Sequence, residues 1–466
     1  MPSPIESLPH ELFRYVVTNL EIQDVARFMR VSKPYHALLE PILWNQIELH
    51  GERFHVKQTQ KVLQKEENIE RQKPLYALAP PESEDDPWQY TQTYPKAMKL
   101  LRILSTHQEF GYGLSEVRTH DLASMVTWLC LSLKPEYNPT IITDSWNALT
   151  QFVNLEYLEL SVFWIRNEYQ VPFRAPEHAL SGLRTVKLRG YLHKEFTQWL
   201  LKKPAGIEEL HLGILDFPVA GNTDPDWAES IPPEMRRPED FDELSNEERG
   251  KWESIEDLCH GSVAARALAC LTPSIMEKFE KLKKIYLYKP GSPQLDNELH
   301  DLWDLLYFSV ISDSQILEEW KNLIRATRAT LEYIILDQRP VAHENAPDGT
   351  GNKDYMWVCA CGPSYHRFVE TVLPTLLESE EFTALKTIRL FGFEPDVKGP
   401  SDYVRDWTSQ SITSVNMPPQ LQAAFPHVEV TDHVGRRMVM NDQTGEPESV
   451  EDEVYQCYNG FESDTD

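Results

Sequence analysis

Apolar positions in this chain follow two rhythms. Near its start, Leu12, Val16 and Leu20 recur at every fourth residue, which places them on one side of a helix. Val25, Phe28 and Met29 form a second stripe of that kind. Pro9 suits the first turn of the first helix, where its missing N–H costs nothing. Ser32 is placed to cap a third helix, with Pro34 tolerated in its first turn; Tyr35, Leu38 and Leu39 follow, then Ile42, Leu43 and Trp44. The spacing predicts three short helices in a segment of about 40 residues, near the lower limit for folding alone without disulfides or a metal. The apolar residues of so small a segment need cover, from the rest of the chain or from another polypeptide.

The second rhythm is a phrase of six residues with apolar positions at i, i+3 and i+5. It begins at Leu155, Leu183, Ile207, Leu282, Leu331 and Leu385, and its last two apolar positions are Leu158/Leu160, Val186/Leu188, Leu210/Leu212, Ile285/Leu287, Ile334/Leu336 and Ile388/Leu390. Two residues apart, those positions share one side of a short strand. Helical patterns precede several copies, over Phe196–Lys203, Ile275–Lys281, Trp320–Thr327 and Phe368–Leu377. A weaker copy is expected at Val117–Leu122, and Phe425–Val430 is expected to close the array. The alternate positions point away from the core: Tyr157, Glu159 and Ser161; Thr185, Lys187 and Arg189; Glu209 and His211; Lys284, Tyr286 and Tyr288; Tyr333, Ile335 and Asp337; Thr387, Arg389 and Phe391. Arg and Tyr among them offer large rigid contact area with a polar end. Lys187, Arg189, Lys284, Tyr286, Tyr288, Arg389 and Phe391 are the candidate substrate-binding residues.

Charge changes this picture only at two places. The net charge of −28 over 466 residues argues against nucleic acid or an anionic membrane as the partner. Residues 216–257 hold 14 acidic against 4 basic side chains, and 441–466 hold 9 acidic and no Lys or Arg. The first stretch, Pro-interrupted, reads as an exposed acidic insertion with one short helix near Ser245; the tail, 439–466, reads as disordered. The chain thus divides into a helical segment at 1–50, a polar linker or helical connection at 51–95, and a domain of repeats at 96–438. Six cysteines without framework spacing point to a reducing compartment. The N-terminus lacks the pattern of a secretory signal, and the longest apolar stretch, Met125–Leu133, is half a membrane span. A soluble protein of the cytoplasm, the nucleus or both is expected.

The densest chemistry is Cys359, Cys361 and His366. Three ligands at irregular spacing do not make the four-ligand set of a zinc site, and buried free cysteines beside a Gly362-Pro363 turn explain them more simply. Neither thiol has a nearby base that would activate it. No nucleophile elbow, His-Glu-x-x-His or phosphate-cradling loop occurs in the sequence. No catalytic centre, metal or cofactor is expected.

Leu8-Pro9-x-Glu11-Leu12, Asp24-Val25, Val31-Ser32-Lys33, Leu38-Leu39 and Leu43-Trp44, in that order and spacing, resemble the F-box motif along its whole length. Pro34 departs from it, where the family has a basic or polar residue. The resemblance implies a three-helix segment that completes its core on the Skp adaptor of a Skp–cullin–F-box ubiquitin ligase. By position, Leu8, Pro9, Leu12, Val31, Ser32 and Lys33 would contact the adaptor, and Trp44 would anchor the third helix to the next domain. The six phrases resemble leucine-rich repeats, and the first two intervals, 28 and 24 residues, fit that family's period. The later intervals are 75, 49 and 54, and the family's Asn after the last Leu is absent. The overall layout is similar to F-box proteins of filamentous fungi. The expected fold is therefore α/β: an N-terminal three-helix F-box followed by an irregular leucine-rich-repeat-like solenoid. The implied function is a non-catalytic substrate adaptor, holding a protein substrate on the repeat domain while the F-box reaches Skp and, through it, cullin. Two other readings share these residues: a scaffold or regulator acting outside the full ligase, and an enzyme built on Cys359, Cys361 and His366.

Overall fold

A computed structural model describes residues 10–20, 22–49, 87–105, 114–133, 146–162, 173, 175–215, 241, 244–246, 249, 263–265, 267–289, 306–308, 310–338, 363–391, 393, 417–431, 438–440 and 447–449. Three helices open the chain: α1 (His10–Thr18), α2 (Ile22–Met29) and α3 (Lys33–Asn45). Ser32 caps α3 as expected, its backbone extended and its Oγ accepting the Tyr35 N–H at 3.3 Å, with Pro34 in the first turn. The helix runs on through Pro41, whose missing N–H leaves the exposed Ala37 carbonyl to solvent.

These helices enclose a small core of their own: Phe13, Val17, Val25, Met29, Tyr35 and Leu39. Phe28 lies 4.4 Å from Tyr35 and 6.3 Å from Phe13, ring centre to ring centre, so one aromatic cluster ties the three helices together. The end of α3 is fastened elsewhere. Trp44 packs against the main core, Arg118 pairs with Glu40, and the Thr127 N–H donates to the Asn45 carbonyl at 2.9 Å.

From there the chain enters a parallel sheet, nine-stranded among the described residues: β1 (Gln46–Leu49), β2 (Trp128–Leu133), β3 (Tyr157–Val162), β4 (Thr185–Tyr191), β5 (Glu209–Leu215), β7 (Lys284–Tyr288), β9 (Tyr333–Asp337), β10 (Thr387–Phe391) and β11 (Glu429–Val430). Between them, β6 (Val263–Ala265) and β8 (Leu306–Phe308) form a separate parallel pair. In the large sheet, strand order follows chain order, so every crossover steps the same way. Right-handed connections then put the intervening helices on one face. Those helices are α4 (Pro87–Leu104), α5 (Glu116–Ser124), α6 (Lys194–Leu200), α7 (Pro273–Met276), α8 (Val310–Thr327), α9 (Pro363–Thr371), α10 (Leu373–Leu376) and α11 (Met417–Ala424). Phe196, Trp199, Trp320, Leu323, Phe368 and Leu421 from these helices share one core with the strand leucines.

All six phrases are strands, and they are in register. Leu158, Val186, Leu210, Ile285, Ile334 and Ile388 lie side by side, as do Leu160, Leu188, Leu212, Leu287, Leu336 and Leu390. Every one is at most 5% exposed, and burying each side chain stabilises the sheet by roughly 1.5–3 kcal/mol. At each strand entry one carbonyl takes two N–H groups from the next unit. Thr127 accepts from Glu156 and Tyr157, Glu156 from Arg184 and Thr185, and the same step repeats as far as Glu332, which accepts from Lys386 and Thr387. Gly190 has φ +80, and a Cβ there would stand 2.1 Å from the Val162 carbonyl oxygen, so β4 admits only glycine at that point.

Three expectations need correction. Val117–Leu122 is not a strand: it lies in α5, started by Ser115, whose Oγ accepts the Arg118 N–H. The unit at that place is β2, with Val126, Leu129 and Leu131 at i, i+3 and i+5, and β1 carries another copy in Trp44, Ile47 and Leu49. Phe425–Val430 does close the sheet, but shifted by two residues, with Val430 rather than Val428 opposite Ile388. The helix expected at Phe368–Leu377 is broken at Val372, because Pro374 can give no N–H to the preceding turn.

Most of the acidic insertion lies outside the described residues. Beyond it the chain returns to β5: Ala267 bridges antiparallel to Leu215, and the Leu268 N–H donates to the Ile214 carbonyl at 2.8 Å. In the tail expected to be disordered, β13 (Pro447–Ser449) pairs antiparallel with β12 (Met438–Met440).

Candidate functional site

Two surfaces stand out, one apolar and one polar. The apolar one lies on the opening helices. The small core takes Phe13 and Val17 from α1, leaving Leu12, Tyr15, Val16 and, just beyond the helix, Leu20 exposed. Ile22, Val31 and Leu38 are exposed too. Among the described residues, seven of the ten exposed large apolar side chains fall between Leu12 and Leu38. Single exposed apolar residues are ordinary on a protein surface, whereas this concentration is not. Of the expected adaptor contacts, Leu12 is 54% and Val31 68% exposed. Lys33 is exposed, and Ser32 is half-buried with its oxygen engaged in the cap. Leu8 and Pro9 lie outside the described residues. The stripe of Leu12, Val16 and Leu20 noticed in the sequence is thus the outward side of α1.

The polar surface is the face of the sheet opposite the described helices. In-register pairing sets its side chains in rows. One row reads Trp128, Tyr157, Thr185, Glu209, Lys284, Tyr333, Thr387 and Glu429; the next reads Cys130, Glu159, Lys187, His211, Tyr286, Ile335 and Arg389. Alternation along each strand follows the sequence reading, but much of the face is closed. Tyr157, Glu159, Ser161, His211, Tyr288, Asp337 and Thr387 are buried. Strands about 4.8 Å apart bring same-face neighbours into contact, so large side chains shield one another. The Trp128 and Tyr157 rings stack at 3.5 Å, within 1° of parallel.

Charge on this face is tightly matched. Arg189 Nη2 sits 2.9 Å from Glu159 Oε1, while the Tyr157 hydroxyl donates to Glu159 Oε2 at 2.5 Å. Burial and the Glu159 charge push the Tyr157 phenol far up, so it donates as a neutral group. Glu209 Oε1 gathers His211 Nε2 at 2.7 Å, Lys284 Nζ at 2.9 Å and Lys187 Nζ at 4.0 Å. Burial opposes the Glu209 charge, but these hydrogen bonds and cations outweigh it and hold the carboxyl well below the usual range. Burial lowers His211 to about 4, against the pull of Glu209, so the imidazole is neutral at pH 7 and donates its Nε2–H.

Of the basic candidate substrate residues, Lys284 and Arg389 keep the most exposed side chains, 34% and 35%. Lys187 and Tyr286 are half-buried, and Tyr286 donates to Asp337 Oδ2 at 2.9 Å. Arg189 is largely inward on Glu159, and Tyr288 is buried, so neither offers an open contact. The Phe391 side chain lies outside the described residues. Trp128 and Cys130 belong to this face and escaped the sequence reading; the i, i+3, i+5 spacing of Val126, Leu129 and Leu131 was the signal for them.

Two buried acidic side chains hold the framework together. Asp313 takes Lys289 Nζ at 2.6 Å and Arg367 Nε at 2.5 Å. Burial pulls the Lys289 amine below its ordinary value. Glu319 accepts the Cys270 N–H at 2.6 Å and that of Leu271, and burial raises its carboxyl to about 8. Burial also raises the Cys130 and Cys270 thiols far beyond the reactive range. Cys359 and Cys361 lie outside the described residues, as does the His366 side chain. Among the described residues, no group of three His, Cys, Asp or Glu is placed to hold a metal, and no helix is long and apolar enough to cross a membrane. The chain matches no protein-family model and no curated sequence.

Proposed function

We propose that this protein is the substrate-recognition subunit of a Skp–cullin–F-box ubiquitin ligase. Residues 1–50 act as an F-box on the Skp adaptor, and 96–438 act as a degenerate leucine-rich-repeat solenoid that holds a protein substrate. The observation that carries this reading is the crowding of exposed apolar side chains on α1, α2 and the start of α3, next to a small core that is already complete. Water-facing Leu12, Val16 and Val31 cost solubility, and a partner helix laid across them removes that cost.

Strand order that follows chain order, and six phrases in register, support the solenoid reading. Trp44, packed on the main core, couples the two parts, so a substrate on the sheet has a fixed place relative to the adaptor. Ubiquitin transfer then gains from proximity alone, the chemistry belonging to other subunits. Lys284, Tyr286 and Arg389, with Lys187 beside them, form the accessible part of the substrate surface.

The test is co-purification of the full chain with Skp adaptor and cullin, wild type against Leu12→Asp with Val31→Asp. Adaptor and cullin should be lost together. Adaptor retained without cullin in the wild type would make the protein a scaffold outside the ligase, and unchanged recovery in the variant would refute the docking face.

A further inference from the structure

The second residue of each phrase carries a charge whose sign alternates along the sheet: Glu156, Arg184, Glu208, Lys283, Glu332, Lys386. These are the residues whose carbonyls link neighbouring strand entries, so they stand in line on one rim, spaced by the strand separation of about 4.8 Å. Their side chains are 23% to 65% exposed. Neighbours pair along the rim: Lys283 with Glu208 at 2.6 Å, Arg184 with Glu156 at 4.0 Å, and Lys386 with Glu332. The hydrogen bond and charge of Lys283 hold the Glu208 carboxyl below its ordinary value.

We propose that this rim is a self-association surface, docking a second copy of the chain about a two-fold axis that passes between Glu208 and Lys283. A ladder with an even number of alternating charges is complementary to itself when reversed. Under the two-fold, Glu156 faces Lys386, Arg184 faces Glu332 and Glu208 faces Lys283, each twice, and no like charges meet. Spacing matches without adjustment, because both ladders come from the same in-register sheet. Curvature does not spoil the match either: a two-fold in the plane of an arc maps the arc onto itself. Such an isologous contact uses one patch on both copies. Among the described residues nothing covers the rim; Asn154, Ser181, Glu280 and Thr383 beside it are exposed. Exposed ion pairs are individually weak and screened by salt, so the dimer is weak and salt-sensitive.

Alternation also serves pairing within one chain, and charge swapping separates the two uses. One variant, Glu156→Lys with Glu208→Lys, and another, Lys283→Glu with Lys386→Glu, each set like charges across the axis. Mixed together they restore every opposite pair. Sedimentation velocity of the full chain should show a monomer–dimer equilibrium at ~50 mM salt that weakens about tenfold or more at ~500 mM. Each variant alone should be monomeric, and the equimolar mixture should dimerise. A wild type that stays monomeric at low salt overturns the proposal. So do variants that dimerise as the wild type does, or a mixture that stays monomeric. Should a double variant fold poorly by circular dichroism, Arg184→Glu mixed with Glu332→Lys makes the same test with one change per chain.

Discussion

The ring of Tyr288 lies over Gly213 so closely that a Cβ added there would sit 1.5 Å from Cε2 of the tyrosine. Strands β5 and β7 are neighbours, and the missing side chain on one makes room for the large one on the other. The Tyr288 hydroxyl reaches back 3.4 Å to the Leu188 carbonyl, so the ring spans the width of β5. Gly213→Ala should therefore overpack this site and destabilise the protein by about 1–3 kcal/mol. Because the clash needs the ring, Gly213→Ala added to Tyr288→Ala should cost far less than it does alone. Thermal unfolding of the four chains measures this coupling.

The stability of the protein should depend on Glu319 as pH rises. Burial lifts its carboxyl from 4.5 to about 8, so between those values the folded state keeps a proton that the unfolded chain releases. Its contribution is full below about pH 4.5 and is lost as pH rises to about 8. Glu319→Gln keeps an oxygen for the Cys270 and Leu271 N–H groups and removes the titration. Melting temperature in the variant should fall less than in the wild type between about pH 5 and pH 8. Parallel curves would refute the assignment.

His211 acts at the other end of the range. Burial lowers it from 6.5 to about 4, so the unfolded chain takes up a proton there before the folded one does. Its contribution is present above about pH 6.5 and is lost as pH falls to about 4. His211→Asn should flatten the acid side of the stability profile, and NMR titration of the imidazole should report neutrality at pH 6.

Lys284 and Arg389 are the most open of the basic residues on the polar face. Reversing both, Lys284→Glu with Arg389→Glu, should abolish capture of the substrate by the full chain, read by crosslinking, while binding of the adaptor persists. Substrate capture at the wild-type level would move the recognition surface elsewhere.

Much of this architecture was readable because apolar spacing is local. Each phrase from Leu155 to Leu385 needs only its own six residues to declare a strand. The unit at Val126 hid inside a longer apolar run, where Trp128, Cys130 and Leu133 blur the alternation, and Trp44 was absorbed into the helix before it. Val117–Leu122 shows the opposite error: His120 stands at its i+3 position, so only Val117 and Leu122 fit the phrase, and the Ser115 cap starts a helix there. Burial of the polar face was not readable. Whether Tyr288 or Glu159 meets water depends on which strand lies alongside, a fact of pairing rather than of spacing. The outward direction of Leu12 and Val16 depends in the same way on Phe13 and Val17 having filled the small core first.

The direct test of the central claim is calorimetric titration of the purified full chain with purified Skp adaptor, wild type against Leu12→Asp with Val31→Asp. Both substitutions are on exposed positions, so the melting temperature should hardly change, within about 0.5 kcal/mol per site. The wild type should bind saturably and the variant not at all, at the same melting temperature. A wild type that does not bind, or a variant that binds equally well, would contradict the claim.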